Sequence, residues 1–127
     1  MLENQPIIAF VATKNPPVSR RFYEDVLGLR FVADEPAALI FDTGENVMLR
    51  IQKVDALTPH PFTALGWVVE DIRGTVEGLK KLGVRFEKYE FLSQDDLGIW
   101  TTPDGSGVAW FKDPDGNVLS LTAFAGA

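Results

Sequence analysis

Val26-Leu27-Gly28-Leu29-Arg30-Phe31 returns 55 positions later as Lys81-Leu82-Gly83-Val84-Arg85-Phe86, both fitting the pattern x-Leu-Gly-x-Arg-Phe. The same elements precede each copy. An apolar run (residues 7–13 and 65–69) leads into a helix-start signal, Asn15-Pro16-Pro17 in one copy and Asp71-Ile72 in the other. Asn or Asp at an N-cap accepts an orphaned backbone N–H, and Pro suits the first turn because its missing donor would be unpaired there anyway. Apolar residues then recur at helical spacing: Val18, Phe22, Val26 and the neighbouring Leu27 in the first copy, and Ile72, Val76, Leu79 and Leu82 in the second. Each helix is expected to stop at its glycine, Gly28 or Gly83, which accepts the left-handed conformation of a helix end. Strand, cap, helix and stop in the same order twice indicate a duplication.

Strand-like runs separated by turn residues follow each helix. The first copy has runs at 30–33, 38–42 and 47–52, with a turn at Thr43-Gly44-Glu45-Asn46. The second has 84–91, a polar stretch at 93–96, then 98–102, 108–112 and 118–123, with turns at Pro103-Asp104-Gly105 and Asp113-Pro114-Asp115-Gly116. The reading is α+β, with two tandem βαβββ modules at 5–53 and 64–124, a linker at 54–63, and one domain over 1–127. Neither module is expected to bury one sheet face and one helix alone, so the two should pack together.

Composition bounds the chemistry. With 127 residues the chain has the length of one domain, and a monomer of this size should bury about two thirds of its unfolded surface. The hydrophobic share of 46% against 24% charged excludes a disordered or collagen-like chain. There is no cysteine, which removes disulfides, thiolate catalysis and iron–sulfur clusters, and one histidine, His60, which removes a multi-histidine site within one chain. A net charge of −6 without a basic cluster argues against nucleic acid and anionic membrane surfaces as partners. The first residues, MLENQPIIAFVAT, have neither a basic start nor an apolar stretch of signal or transmembrane length, and the expectation is a soluble cytoplasmic protein. No serine triad, paired inward carboxylates or glycine-rich phosphate loop emerges.

Two segments carry a resemblance. Arg21-Phe22-Tyr23-Glu24-Asp25-Val26-Leu27-Gly28-Leu29 and Trp110-Phe111-Lys112-Asp113-Pro114-Asp115-Gly116-Asn117 resemble the F-Y-x-x-x-L-G-[LF] and F-x-D-P-[DE]-G-N motifs of the vicinal oxygen chelate superfamily. That group holds glyoxalase, bleomycin-resistance, fosfomycin-resistance and extradiol dioxygenase proteins. The resemblance implies two βαβββ modules whose sheets curl around a central cavity, commonly in a homodimer. It also implies where catalytic members hold a divalent metal: at the starts of the first strands and on the last strands. Those positions carry Ile8, Ala64, Ser120 and Arg50 here, with Gln52 an alternative to Arg50 on the same face. Two aliphatic side chains, a hydroxyl and a guanidinium do not make a metal site, so no metal or other cofactor is expected.

Period-two alternation sketches the lining. Phe10 and Ala12 go with Ile8; Met48 goes with Arg50; Gly66 and Val68 go with Ala64; Val118 and Thr122 go with Ser120. Leu65, Trp67, Val69, Leu119 and Leu121 fall on the opposite, helix-packed face. One of Trp110 and Phe111 faces the lining and the other the core; parity alone leaves open which. Trp100 is a ligand lid or a dimer contact. Arg50 either anchors an anion or pairs with Glu45 or another carboxylate. His60 reads as an exposed linker residue, Asp113-Pro114-Asp115-Gly116 as turn chemistry, and Asp95-Asp96 as solvated loop charge. The expected ligand-binding set is Arg50, Ser120, Phe10, Met48, Trp100 and Trp110. The expected function is binding of a mostly hydrophobic, partly anionic small molecule without metal; the alternative is a lyase, isomerase or dioxygenase of the glyoxalase type.

Overall fold

Asn15 and Asp71 open the two helices as their side chains require. Asn15 Oδ1 accepts the Val18 N–H at 3.5 Å, and Asp71 Oδ1 accepts the Gly74 N–H at 3.0 Å. The structure, a computed structural model, describes residues 1–126. The chain forms two compact units that divide between Pro59 and His60, inside the 54–63 stretch.

The first unit runs β1 (Ile8–Thr13), α1 (Pro16–Arg21), a π-helical turn (Phe22–Val26), β2 (Arg30–Asp34), β3 (Ala38–Asp42) and β4 (Met48–Lys53). Its sheet has the order β1-β4-β3-β2, with β1 parallel to β4 and the other pairs antiparallel. The second unit runs β5 (Thr63–Val68), α2 (Ile72–Lys81), β6 (Trp100–Thr101), β7 (Gly107–Lys112) and β8 (Val118–Ala123), in the equivalent order β5-β8-β7-β6. Both modules are therefore βαβββ, and the α+β assignment holds. Neither sheet closes on itself: β1 and β2 are the end strands of one, β5 and β6 of the other, and Trp100 of β6 also bridges to Gln94. The curled sheets implied by the resemblance are not a feature of either module.

Each helix ends at its glycine. Gly83, at φ 95°, lets Val84 N–H reach Leu79 C=O and Gly83 N–H reach Lys80 C=O, both at 3.0 Å. Gly28 plays the same part at φ 75°, but the preceding π turn adds one residue, so Leu29 N–H bonds to Tyr23 C=O. That widened turn buries Tyr23 completely, 6.0 Å from the ring of Phe41. Val11, Leu39, Phe41, Leu49 and Ile51 complete the core of the first module, and Val76, Ala109, Phe111, Leu119 and Leu121 that of the second.

One expected strand is missing. Residues 84–91 form no strand; their backbone meets the sheet at a bridge between Phe86 and Phe111, supported by Glu87 N–H donating to Trp110 C=O at 2.8 Å. The physical reason is Gln94. Its side chain donates to Glu87 C=O and Gly98 C=O and accepts from Tyr89 N–H, satisfying backbone groups that a strand partner would otherwise take. The expected strand 98–102 shrinks to Trp100–Thr101 because Asp95 Oδ1 accepts the N–H groups of Leu97 and Ile99, both at 2.9 Å. Asp95 also pairs with Arg73 at 3.1 Å. It is a loop organiser and not the solvated charge read from sequence.

The Asp113-Pro114-Asp115-Gly116 hairpin is built around a buried carboxylate. Asp113 accepts from Asp115 N–H at 3.0 Å, Asn117 N–H at 2.9 Å and Asn117 Nδ2 at 2.8 Å. Truncation strands these donors where water is excluded. Asp113→Ala is expected to lower stability by about 2–4 kcal/mol, read as a lower urea midpoint with unchanged slope. A shift within experimental error would show that the hairpin does not depend on this side chain.

Candidate functional site

In the first module the face away from α1 is apolar around one cation. Ile8 is paired with Met48, and Arg50 lies between Phe10 on β1 and Ile40 on β3. Cross-strand partners share a face, so these five side chains stand together. Ile8 and Phe10 are each 49% exposed, and Met48 is also exposed. Their odd-numbered neighbours Val11, Leu49 and Ile51 are buried under the helix. Gln52 continues this face beyond Arg50.

Arg50 is not isolated. Its Nη2 lies 3.7 Å from Glu35 Oε1, an ion pair too long for a hydrogen bond. The carboxylate is Glu35 from the β2–β3 turn, not Glu45. Glu45 sits in the β3–β4 hairpin, where it and Asn46 adopt left-handed backbone angles of 54° and 61°. Toward that hairpin the same face carries a shallow recess of about 450 Å³, lined by Val32, Ile40, Met48, Asp42 and Asn46. Arg30 Nη2 donates to Asp42 Oδ2 at 2.6 Å, and Gly44 N–H donates to Asp42 Oδ1 at 2.8 Å. These bonds, the Arg30 bond foremost, hold the Asp42 carboxyl below its usual range.

In the second module the corresponding face carries Gly66, Ser120 and Trp110 in one row across β5, β8 and β7. Trp110 is on this face and Phe111 is core, which resolves the alternation left open by sequence. Ser120 is only 8% exposed, tucked where a side chain on Gly66 would collide with its hydroxyl. Ala64 and Val68 are exposed, and Trp67 is partly buried on the helix side with Leu119 and Leu121. Trp100 stacks on Trp110 with centroids 6.3 Å apart and planes at 28°. Tyr89 meets Trp110 edge-on at 5.6 Å and 81°. Burial, then the negative charge of Glu87, pushes the Tyr89 hydroxyl above its usual value, with Lys112 opposing. His60 is exposed and stacks on Phe62 at 5.0 Å.

Sequence reading thus assembles Phe10, Met48 and Arg50 on one face and Ser120, Trp100 and Trp110 on another. It passed over Tyr89, Phe91 and Phe62. The signal that could find them is Tyr89-Glu90-Phe91, two aromatics separated by a single residue. The positions at which the resemblance implies metal ligands carry Ile8, Arg50, Ala64 and Ser120, a donor set that does not fit a divalent cation. Among the described residues no group of three or more His, Cys, Asp or Glu side chains is placed to hold a metal. Among them, too, no helix is long and apolar enough to cross a membrane.

The Arg30–Asp42 bond gives a pH prediction. A carboxyl whose folded pKa is depressed stabilises the fold above its unfolded value of about 3.9, and that contribution is lost as pH falls through the folded value. Arg30→Met should raise the Asp42 titration midpoint seen by carboxyl NMR and flatten the acid loss of stability. An unchanged midpoint would show that Arg30 does not set it.

The fold and the sequence agree with known proteins. The family model of the Glyoxalase/Bleomycin resistance protein/Dioxygenase superfamily matches residues 7–121. No curated protein matches the chain. Among solved structures, a superfamily member from Sphaerobacter thermophilus is 22% identical with a TM-score of 0.76, covering 98% of this chain and 100% of that one. TnmS3, an antibiotic binding protein from a Streptomyces species, is 22% identical with a TM-score of 0.73, covering 97% and 98%. Lactoylglutathione lyase from Agrobacterium tumefaciens is 20% identical with a TM-score of 0.71, covering 92% and 91%. At these identities the structures speak for the fold alone, whereas the family match spans nearly the whole sequence, and the chain belongs to the Glyoxalase/Bleomycin resistance protein/Dioxygenase superfamily.

Proposed function

We propose that this protein binds a mostly hydrophobic small molecule carrying an acidic group, without a metal, and that it works as a homodimer. The observation that carries the reading is Arg50 set between the exposed Phe10 and the buried Ile40 on an apolar face. A guanidinium offers planar paired donors to a carboxylate, phenolate or enolate, and aliphatic surroundings strengthen that contact. Glu35 at 3.7 Å is a loose partner that an incoming anion displaces at modest cost. The occurrence of an antibiotic binding protein on this fold supports a binding role. The open sheets and the exposed side chains of Ile8, Phe10 and Met48 support a second copy as partner.

A panel of aliphatic acids beside their neutral amides tests the anchor. Acids should bind better than amides, and Arg50→Met should remove that preference at a cost of about 2 kcal/mol, roughly thirtyfold. Glu35→Gln should strengthen acid binding by freeing the guanidinium. Equal binding of acids by the parent and Arg50→Met would make Arg50 a structural partner of Glu35 and overturn the assignment. Light scattering that gives the protomer mass at micromolar concentration would overturn the dimer.

Metal content supplies the second test. A native-state ligand at about a hundred times its Kd stabilises by about 2.7 kcal/mol, a rise of several degrees in Tm for a chain of this size. Zn²⁺, Ni²⁺ and Mn²⁺ should leave Tm unchanged. One tightly held ion per chain after purification without chelator would overturn the metal-free reading in favour of glyoxalase-type chemistry.

A further inference from the structure

We infer that the recess in front of Trp110 in the second module is a subsite for a planar aromatic ring; this deepens the small-molecule reading above and rests on it. The recess has a volume of about 210 Å³ and is lined by Phe62, Thr63, Tyr89, Phe91, Trp110 and Val118, among others. A cavity of about 150 Å³ is enough to enclose benzene, so one ring or a fused pair fits this space. Four of the six named side chains are aromatic. Phe91 is 82% exposed and Phe62 63% exposed, so both still present ring surface beyond their contacts with Tyr89 and His60.

The aromatic walls are held in place before any ligand arrives. The 87–99 segment forms no strand, yet the Gln94 amide ties Tyr89 N–H, Glu87 C=O and Gly98 C=O together at 2.7 to 2.9 Å. Asp95 closes the same segment through Leu97 and Ile99 N–H and through Arg73. Trp110 is fixed from the other side, its Nε1–H donating to Thr63 Oγ1 at 3.2 Å. Thr63 keeps its hydroxyl hydrogen for an acceptor on a bound ring. Tyr89 stands edge-on to Trp110 and Phe91 tilts 36° from Tyr89 at 5.6 Å. A flat guest meets ring faces and edges at once, contacts that an aliphatic guest of equal area lacks. Walls fixed in advance spare the ligand the cost of ordering them.

The test uses two neutral probes of one shape class, 2-naphthol and its saturated counterpart decahydro-2-naphthol. Affinity is read by calorimetry and location by the Trp110 indole N–H resonance. The expected result is binding of 2-naphthol about tenfold tighter than the saturated probe, with the Trp110 resonance shifted. Phe91→Ala, a change at an exposed position, should weaken 2-naphthol binding about fivefold. Phe124→Ala, also at an exposed position but outside the recess, should leave it unchanged. Equal affinity for the two probes, no binding of 2-naphthol, or an undiminished affinity in Phe91→Ala overturns the subsite. Failure here is distinguishable from failure of the broader reading, which is judged by the acid-over-amide preference of aliphatic ligands at Arg50.

Discussion

One helix covers one face of each four-stranded sheet, and the opposite face is buried only in part, at Ile40 in the first module and at Val118 and Ser120 in the second. Leu39, Phe41, Leu49 and Ile51 saturate the helix side of the first sheet, and Phe111, Leu119 and Leu121 that of the second. Burying each such side chain contributes about 1.5–3 kcal/mol, which is what holds the helix on its sheet. Nothing within a module performs the same service for Ile8, Phe10 and Met48, or for Val68 and Phe91. Exposed apolar patches of this kind mark interaction or ligand-binding faces. The functional reading follows from where the helix is not.

Loops set the chemistry on those faces more than strands do. In the first module Arg50 is on a strand, but its ion-pair partner Glu35 comes from a turn. In the second, one glutamine side chain replaces a length of β-ladder and thereby turns Tyr89 and Phe91 toward Trp110 instead of into a regular sheet. The duplicated modules differ most at this point. The first has a β2–β3 hairpin, bulged between Phe31 and Ala33, and the second a hydrogen-bonded loop that carries aromatic rings. The hairpin at Asp113 shows the complementary case, in which a buried carboxylate surrounded by backbone donors is wholly structural.

The sequence by itself determined the elements with strong local signatures. The caps at Asn15 and Asp71, the glycine stops at Gly28 and Gly83, and the alternation that separates Phe10 and Arg50 from Leu49 and Ile51 are all read within a few residues. These depend on backbone geometry and a two- or 3.6-residue period, which neighbours in the chain fix. What only the tertiary structure decided depends on partners far apart in sequence. Parity could not choose between Trp110 and Phe111, because either ring fits either face until Phe86 packs on Phe111. The 84–91 segment has strand-forming composition, yet Gln94 offers its backbone side-chain bonds that local propensity does not record. Arg50 found Glu35, 15 residues away, and not Glu45, because a strand's length separates the two ends of β3 and only one of its turns lies beside the guanidinium.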